Sequence, residues 1–374
     1  MRLLTIILLA WTAFATPALA AANDTATAQA AITAALKTSK TPGMGVAVIR
    51  GGRLAFVAVG GARRIGTQDA VTADDPWLIG SDTKPMTSTM ILRLVEQHRL
   101  SLDAPLSATD PALAAAARPD YRAITLRQML SHTSGLPHDY SGIGKLTAVS
   151  SDRRPLPEQR IAYLKLALSD APVSPPGTAF HYSNTAFILA AAIAEDATGL
   201  SYEALMQREV FAPLGLSRVR VGLPPQDGNH GHKDGKPARE DDEIPPMMNP
   251  AGGVSLSLSD WAVYCIDQLD GAKGHGRLLT AAGYRQMQAP TAVTGNGLDW
   301  GNDKTVRNWQ GPVLVHTGSD EAWESIVVLF PQSGNGLLVN ANAGQSMSGE
   351  SAAKSVLFAL MPLVTVHAKP PAGK

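Results

Sequence analysis

The run Ile326-Val327-Val328-Leu329-Phe330 has no polar residue at any position. Read as a strand, its side chains alternate between two faces, and both faces are apolar. Such a strand must lie inside a sheet that is covered on both sides. This demand sets the architecture, because cover on two faces requires helices from elsewhere in the chain. Strand character also marks Pro312 to Thr317 and Gly336 to Asn342, and a closing helix is expected from Glu350 to Leu363. Near the start, "MGVAVIRGGRLAFVAVGG" gives two strand-like runs around Gly51-Gly52, a hairpin signal, preceded by an alanine-rich helix from Thr25 to Ser39.

Between these ends the pattern is mainly helical: Met86 to Leu100, Leu126 to Leu130, Gln159 to Leu168, Ala186 to Thr198, Tyr202 to Val210 and Trp261 to Leu269. The expected domain is therefore an α/β unit of the α+β kind. An antiparallel sheet with helices on its faces, residues 24–98 and 289–366, receives an all-helical subdomain, residues 99–288. Asp234-Gly235 within "NHGHKDGKPAR" reads as a hairpin turn. His230 and His232 beside it belong to a strand rather than a metal site, since no ligand set of recognised spacing accompanies them.

The first 20 residues, MRLLTIILLAWTAFATPALA, combine Arg2, an apolar stretch and the small-residue pattern Ala18-Leu19-Ala20. They read as a secretory signal cleaved after Ala20, leaving 21–374 as a single catalytic domain in the periplasm or outside the cell. The apolar segment falls short of the roughly 20 residues that a span requires, so no stable membrane insertion is expected. Cys265 is the only cysteine, which excludes an intramolecular disulfide, and it falls in an apolar helical pattern that marks it as core. The 32 basic residues balance 32 acidic ones without a basic stripe, so nothing supports nucleic-acid binding.

"WLIGSDTKPM" places Ser81 three residues before Lys84, at the entrance of a helix in which Pro85 is tolerated only near the first turn. Serine and lysine would then share a face. A serine hydroxyl is a poor nucleophile until a base lies within hydrogen-bond reach and donors await the oxyanion. The spacing alone does not decide, because Ser351-Ala-Ala-Lys354 has it too. Two further stretches add weight to Ser81: "FHYSNTAF", with Tyr182-Ser183-Asn184, and "VLVHTGSD", with His316-Thr317-Gly318 at a strand end.

In this order and at separations of 101 and 134 residues, these motifs resemble those of the serine hydrolases that include class C β-lactamases, low-molecular-weight penicillin-binding DD-peptidases and esterases. "LSHTSGLP" from Leu130 and "NPAGGVSLSLSDW" from Asn249 extend the likeness over most of the chain. The resemblance implies a β-lactamase/transpeptidase-like fold with the site in the cleft between its two parts. It implies Ser81 as nucleophile, with Lys84 and Tyr182 sharing the proton transfers, and leaves open which is the base. By the same resemblance Asn184 contacts the acyl side of the substrate, His316 and Thr317 bind its other end, and the Ser319 N–H joins that of Ser81 around the oxyanion. His132 and His138 are implied to be structural. No cofactor or metal is called for.

The expected function is hydrolysis of esters or amides through a Ser81 acyl-enzyme, on a small molecule or a peptidoglycan peptide. A class C-type β-lactamase, or a penicillin-recognising sensor that does not turn over, is the alternative. Class C β-lactamases typically have a lysine where this chain has His316, and a histidine there is similar to some DD-peptidases and esterases of the family. His316 is largely neutral at pH 7 if its pKa is ordinary, and Asp320, Glu321 and Glu324 follow it. Neutral or cationic substrates are therefore expected to be preferred over those carrying a carboxylate.

Overall fold

The computed structural model describes residues 17–142, 152–239, 244–302, 306, 309 and 311–365. Most of the expected signal segment and the tail "AKPPAGK" lie outside these residues. Helix α1 (Pro17–Thr38) leads into the hairpin of β1 (Gly43–Arg50) and β2 (Arg53–Gly61). Gly51 and Gly52, both at positive φ, make the turn, a conformation glycine adopts without steric cost. The short strand β3 (Pro76–Leu78) precedes a single 3₁₀ turn, Gly80–Asp82, that opens directly into α2 (Thr83–Glu96).

The helical block follows: α3 (Leu106–Thr109), α4 (Pro111–Ala116), α5 (Leu126–Leu130), α6 (Leu156–Ala167), α7 (Asn184–Thr198), α8 (Tyr202–Met206) and α9 (Ala212–Leu214). Next come β4 (Val219–Val221), the hairpin β5 (His232–Lys233) and β6 (Lys236–Pro237), α10 (Asn249–Gly252) and β7 (Val254–Ser257). Then α11 (Leu258–Ala272), α12 (Ala281–Gln288) and the closing strands β8 (Gly301–Asn302), β9 (Leu314–Ser319), β10 (Glu324–Phe330) and β11 (Asn335–Ala341) lead to α13 (Gly349–Leu360) and α14 (Pro362–Thr365).

The main sheet is antiparallel throughout, in the order β2-β1-β11-β10-β9-β8. As the apolar run requires, β10 is interior and every one of its residues is buried. Ile326, Val328 and Phe330 pack with Met44, Val46, Val339 and the inner faces of α1 and α13, in one core. Val327 and Leu329 turn the other way, into a larger core shared with α2, α7 and α11. The two-residue alternation thus divides one strand between two cores.

The helix α11 packs on β1 and β2, although its sequence position placed it within the inserted helical block. Its amphipathic pattern marked a buried face without saying which neighbour covers it. A second, three-stranded sheet, β3-β7-β4, joins the region before Ser81 to the "NPAGGVSLS" segment. Its strands of three or four residues are too short to show a period. Cys265 is fully buried in α11, and burial raises its thiol pKa well above the ordinary value. Among the described residues no helix is long and apolar enough to cross a membrane.

Candidate active site

Gly80 is the hinge of the site. Its φ of +48° is one that L side chains rarely adopt, and a Cβ there would lie 2.6 Å from the backbone nitrogen of Ser319. Glycine therefore lets β9 come against the 3₁₀ turn, which brings Ser319 beside Ser81. Pro85, third residue of α2, sits in the first turn, where its missing N–H costs no helical hydrogen bond.

One helical turn beyond Ser81, Lys84 is completely buried, and its Nζ donates to Ser81 Oγ at 3.0 Å and to the Ala251 carbonyl at 2.6 Å. The "NPAGG" segment forms α10, which holds that carbonyl in place; Thr87 of α2 ties it further by donating to the Pro250 carbonyl at 2.8 Å. The amine faces the rings of Tyr182 and Phe187, with Nζ 4.7 and 5.6 Å from their centroids. Among the described residues no carboxylate touches it. Desolvation lowers its pKa to about 8, opposed by the more distant charges of Asp299, Asp139 and Asp82.

Tyr182 Oη donates to Ser81 Oγ at 2.6 Å. Burial raises this phenol far above its ordinary value, with Asp299 adding to the effect, so the group stays protonated and serves as a donor. Of the two candidate bases, the electrostatics favour Lys84. The tyrosine is held by the "SHTSGLP" loop: His132 stacks on its ring at 4.4 Å between centroids. The Ser183 N–H donates to His132 Nδ1 at 3.0 Å, so Nε2 carries the proton and donates to Asp299 Oδ1 at 2.9 Å. Ser183 caps α7 by accepting the Ala186 N–H.

Asn184 Nδ2 donates to Asp139, 3.1 and 3.3 Å from the two carboxylate oxygens, and the residue is not among those lining the cavity beside Ser81. That cavity, of about 810 Å³, is lined by Ser81, Tyr182, His316, Thr317 and Ser319 together with His132, Asp299 and Glu324.

The expected neutral His316 is corrected by its surroundings. Its Nδ1 lies 2.8 Å from Asp82 Oδ1 and its Nε2 3.1 Å from Asp299 Oδ2. Burial pulls the imidazolium pKa down, but the two carboxylates prevail and push it up to about 10. Burial likewise works to raise Asp299, yet His316 and His132 hold it below the ordinary carboxylate value. The result is a buried cation already matched by two acids. It offers little net positive charge to a substrate carboxylate, so the expected substrate preference now rests on compensation rather than on a neutral ring.

The acidic turn divides three ways. Asp320 Oδ1 accepts the N–H groups of Ala322 and Trp323, Glu321 pairs with Lys233, and Glu324 faces the cavity. Asp82 and Asp299 were not singled out as site residues from sequence, since they act through contacts with residues far away in the chain. Glu324 was read only as one of three acids in the turn, and its hydrogen-bond partner is the nearby Ser319. The second histidine pair is occupied by structure: His232 Nδ1 lies 2.7 Å from the Asn342 carbonyl and its Nε2 accepts the Ile65 N–H at 3.0 Å.

The chain is similar to known proteins over most of its length. The chain is 29% identical over 330 residues to penicillin-binding protein 4 of Amycolatopsis lactamdurans, covering 82% of each. It is 34% identical over 178 residues, 48% of this chain and 45% of the other, to the D-alanyl-D-alanine-carboxypeptidase/endopeptidase AmpH of Escherichia coli. A crystal structure of a D-stereospecific amidohydrolase from Streptomyces superposes with a TM-score of 0.72 at 25% identity, over 89% of this chain and 97% of that one. The family model described as Beta-lactamase spans residues 28–361, from the first helix to the last strand and its covering helix, and this chain belongs to that family of serine hydrolases.

Proposed function

We propose that this protein hydrolyses amides or esters through a covalent Ser81 acyl-enzyme, acting as an exported peptidase or esterase on small molecules or peptidoglycan peptides. The observation that carries the reading is the double approach to Ser81 Oγ: Lys84 Nζ at 3.0 Å and Tyr182 Oη at 2.6 Å, at the wall of a large cavity. The D-alanyl-D-alanine carboxypeptidase and D-stereospecific amidohydrolase among its relatives support an amide substrate.

In the first step a neutral Lys84 takes the Ser81 proton as Oγ attacks the substrate carbonyl carbon. The oxyanion that forms is held by the N–H groups of Ser81 and Ser319. Collapse breaks the bond to the leaving group, which receives a proton from Tyr182, and the Lys84 ammonium gives up its proton to restore the phenol. The acyl group is now an ester of Ser81. Water attacks this ester, gives its proton to the same pair and releases the carboxylic acid, which restores Ser81. Residues 21–374 serve as one catalytic domain, with the leader directing it to the periplasm or the exterior.

The test is labelling and turnover. A fluorophosphonate probe should add once to the wild type, detected by intact mass, and a chromogenic aryl ester should be turned over many times. Ser81→Ala should abolish both, while Ser351→Ala changes neither, because Ser351 is exposed in the first turn of α13 and Lys354 there pairs with Glu350. Stoichiometric labelling without turnover would identify a sensor instead.

A further inference from the structure

The lining of the cavity also includes Lys233, Glu321, Glu324, Glu350 and Lys354. These two cations have acids beside them: Lys233 pairs with Glu321 and Lys354 with Glu350. Toward Ser81, His316 lies between Asp82 and Asp299. Glu324 has no such match. It is only 7% exposed, and its carboxylate accepts one hydrogen bond, from Ser319 Oγ to Oε1 at 3.0 Å; among the described residues it has no ion pair.

A buried carboxylate without a cation is costly. Burial raises the Glu324 pKa to about 7, eased by the Ser319 hydroxyl and, from a distance, by the Lys354 charge, and reinforced by Glu350 and Asp320. One positive charge beside Glu324 would complete the pairing of these groups. Strand register says where that charge would sit. Glu324 of β10 lies directly across from Ser319 of β9, so its carboxylate is one hydrogen bond from the residue whose N–H receives the oxyanion. An acyl group bonded to that carbonyl carbon and directed to the Glu324 side of the cavity would meet this carboxylate.

We propose that Glu324 is a specificity-determining residue that receives a positively charged nitrogen carried on the acyl group of the substrate. This rests on the Ser81 acyl-enzyme reading, which supplies the position of the carbonyl. A charge-assisted contact of this kind corresponds to about 10- to 100-fold in kcat/KM.

The experiment uses two isosteric aryl thioesters, 4-(trimethylammonio)butanoyl and 5,5-dimethylhexanoyl, which differ in charge and hardly in shape. The wild type should prefer the cationic ester at least about tenfold, and Glu324→Gln should reduce the preference to within about threefold through loss on the cationic ester. A wild-type ratio near one, or a preference for the neutral ester, overturns the inference without any variant having to fold. So does a Glu324→Gln enzyme that keeps the wild-type ratio. If neither ester is turned over in a Ser81-dependent way, the acyl-enzyme reading fails separately. The inference is then decided on the Ser81→Ala protein by calorimetry with the two corresponding amides: tighter binding of the cationic amide supports it, and equal affinity overturns it.

Discussion

If Lys84 is the base, the pH dependence of acylation should report its buried environment. The amine is an effective acceptor only when neutral, and its pKa is lowered by desolvation from 10.5 to about 8. At pH 7 about one Lys84 in ten is then neutral, against about one in 3,000 at the ordinary lysine value, a gain of roughly 300-fold in reactive enzyme. For a neutral aryl ester, which does not itself titrate, kcat/KM should rise about tenfold per pH unit below pH 8 and level off above it. Lys84→Arg keeps a charge but cannot release it, so the rate should fall at least about 100-fold and the limb should vanish. Tyr182→Phe should lower the rate and leave a limb near pH 8, since the raised phenol does not titrate there. A limb at pH 10 or higher would refute the reasoning. A limb retained in Lys84→Arg but lost in Tyr182→Phe would do the same, by assigning the proton transfer to the tyrosine.

Because Lys84 and Tyr182 meet on one oxygen, the double variant Lys84→Ala/Tyr182→Phe should cost far less in kcat than the product of the single losses; full multiplicativity would exclude a shared proton network. The His316 imidazolium has a folded pKa of about 10 against an ordinary 6.5, so the stability it contributes is fully present below pH 6.5 and is lost as pH rises through 10. His316→Gln, which leaves two buried acids without their cation, should cost about 3–5 kcal/mol near pH 6 by urea unfolding. The gap from wild type should narrow toward pH 10, and the paired comparison cancels the opposite trend of Lys84 between pH 8 and 10.5. Gly80→Ala should lower kcat at least about tenfold, measured beside the melting temperature, because the new Cβ at φ +48° meets the Ser319 nitrogen at 2.6 Å and forces β9 away from Ser81. Wild-type kcat in that variant would show that the close approach of β9 is not needed.

What the sequence made legible, and what it did not, follows from the range over which each feature is determined. The strand at 326–330 and the hairpin at Gly51-Gly52 are local patterns, and both are present close to where the residues indicate them. Boundaries shifted by a few residues where the capping residues outweigh the apolar period. Ser183 starts α7 at Asn184, two residues before the pattern, and the 3₁₀ turn at Gly80–Asp82 starts α2 at Thr83. Ser81, Lys84 and Tyr182 were grouped from sequence because their chemical types and order are distinctive, and Lys84 and Tyr182 both lie on the Ser81 hydroxyl. The groups that set protonation could not: Asp82 and His316 are 234 positions apart, and His132 and Asp299 are 167 apart. Each of those acids is an ordinary surface residue to any local reading, until folding buries it against a histidine.

The two Ser-x-x-Lys patterns make the same point from within one chain. Ser81 and Ser351 each stand one helical turn before a lysine, so both pairs share the geometry that brings hydroxyl and amine to one face. Lys354 remains half in solvent with Glu350 beside it, where water and a carboxylate both stabilise the charged amine. Lys84 has lost its water to Tyr182, Phe187 and the Ala251 carbonyl, and its nearest acids act only from a distance. Spacing provides proximity, and burial provides basicity. Only a site with both can turn a serine into a nucleophile at neutral pH, and the second condition is met by α10 and α7, elements that lie more than 90 residues beyond the motif itself.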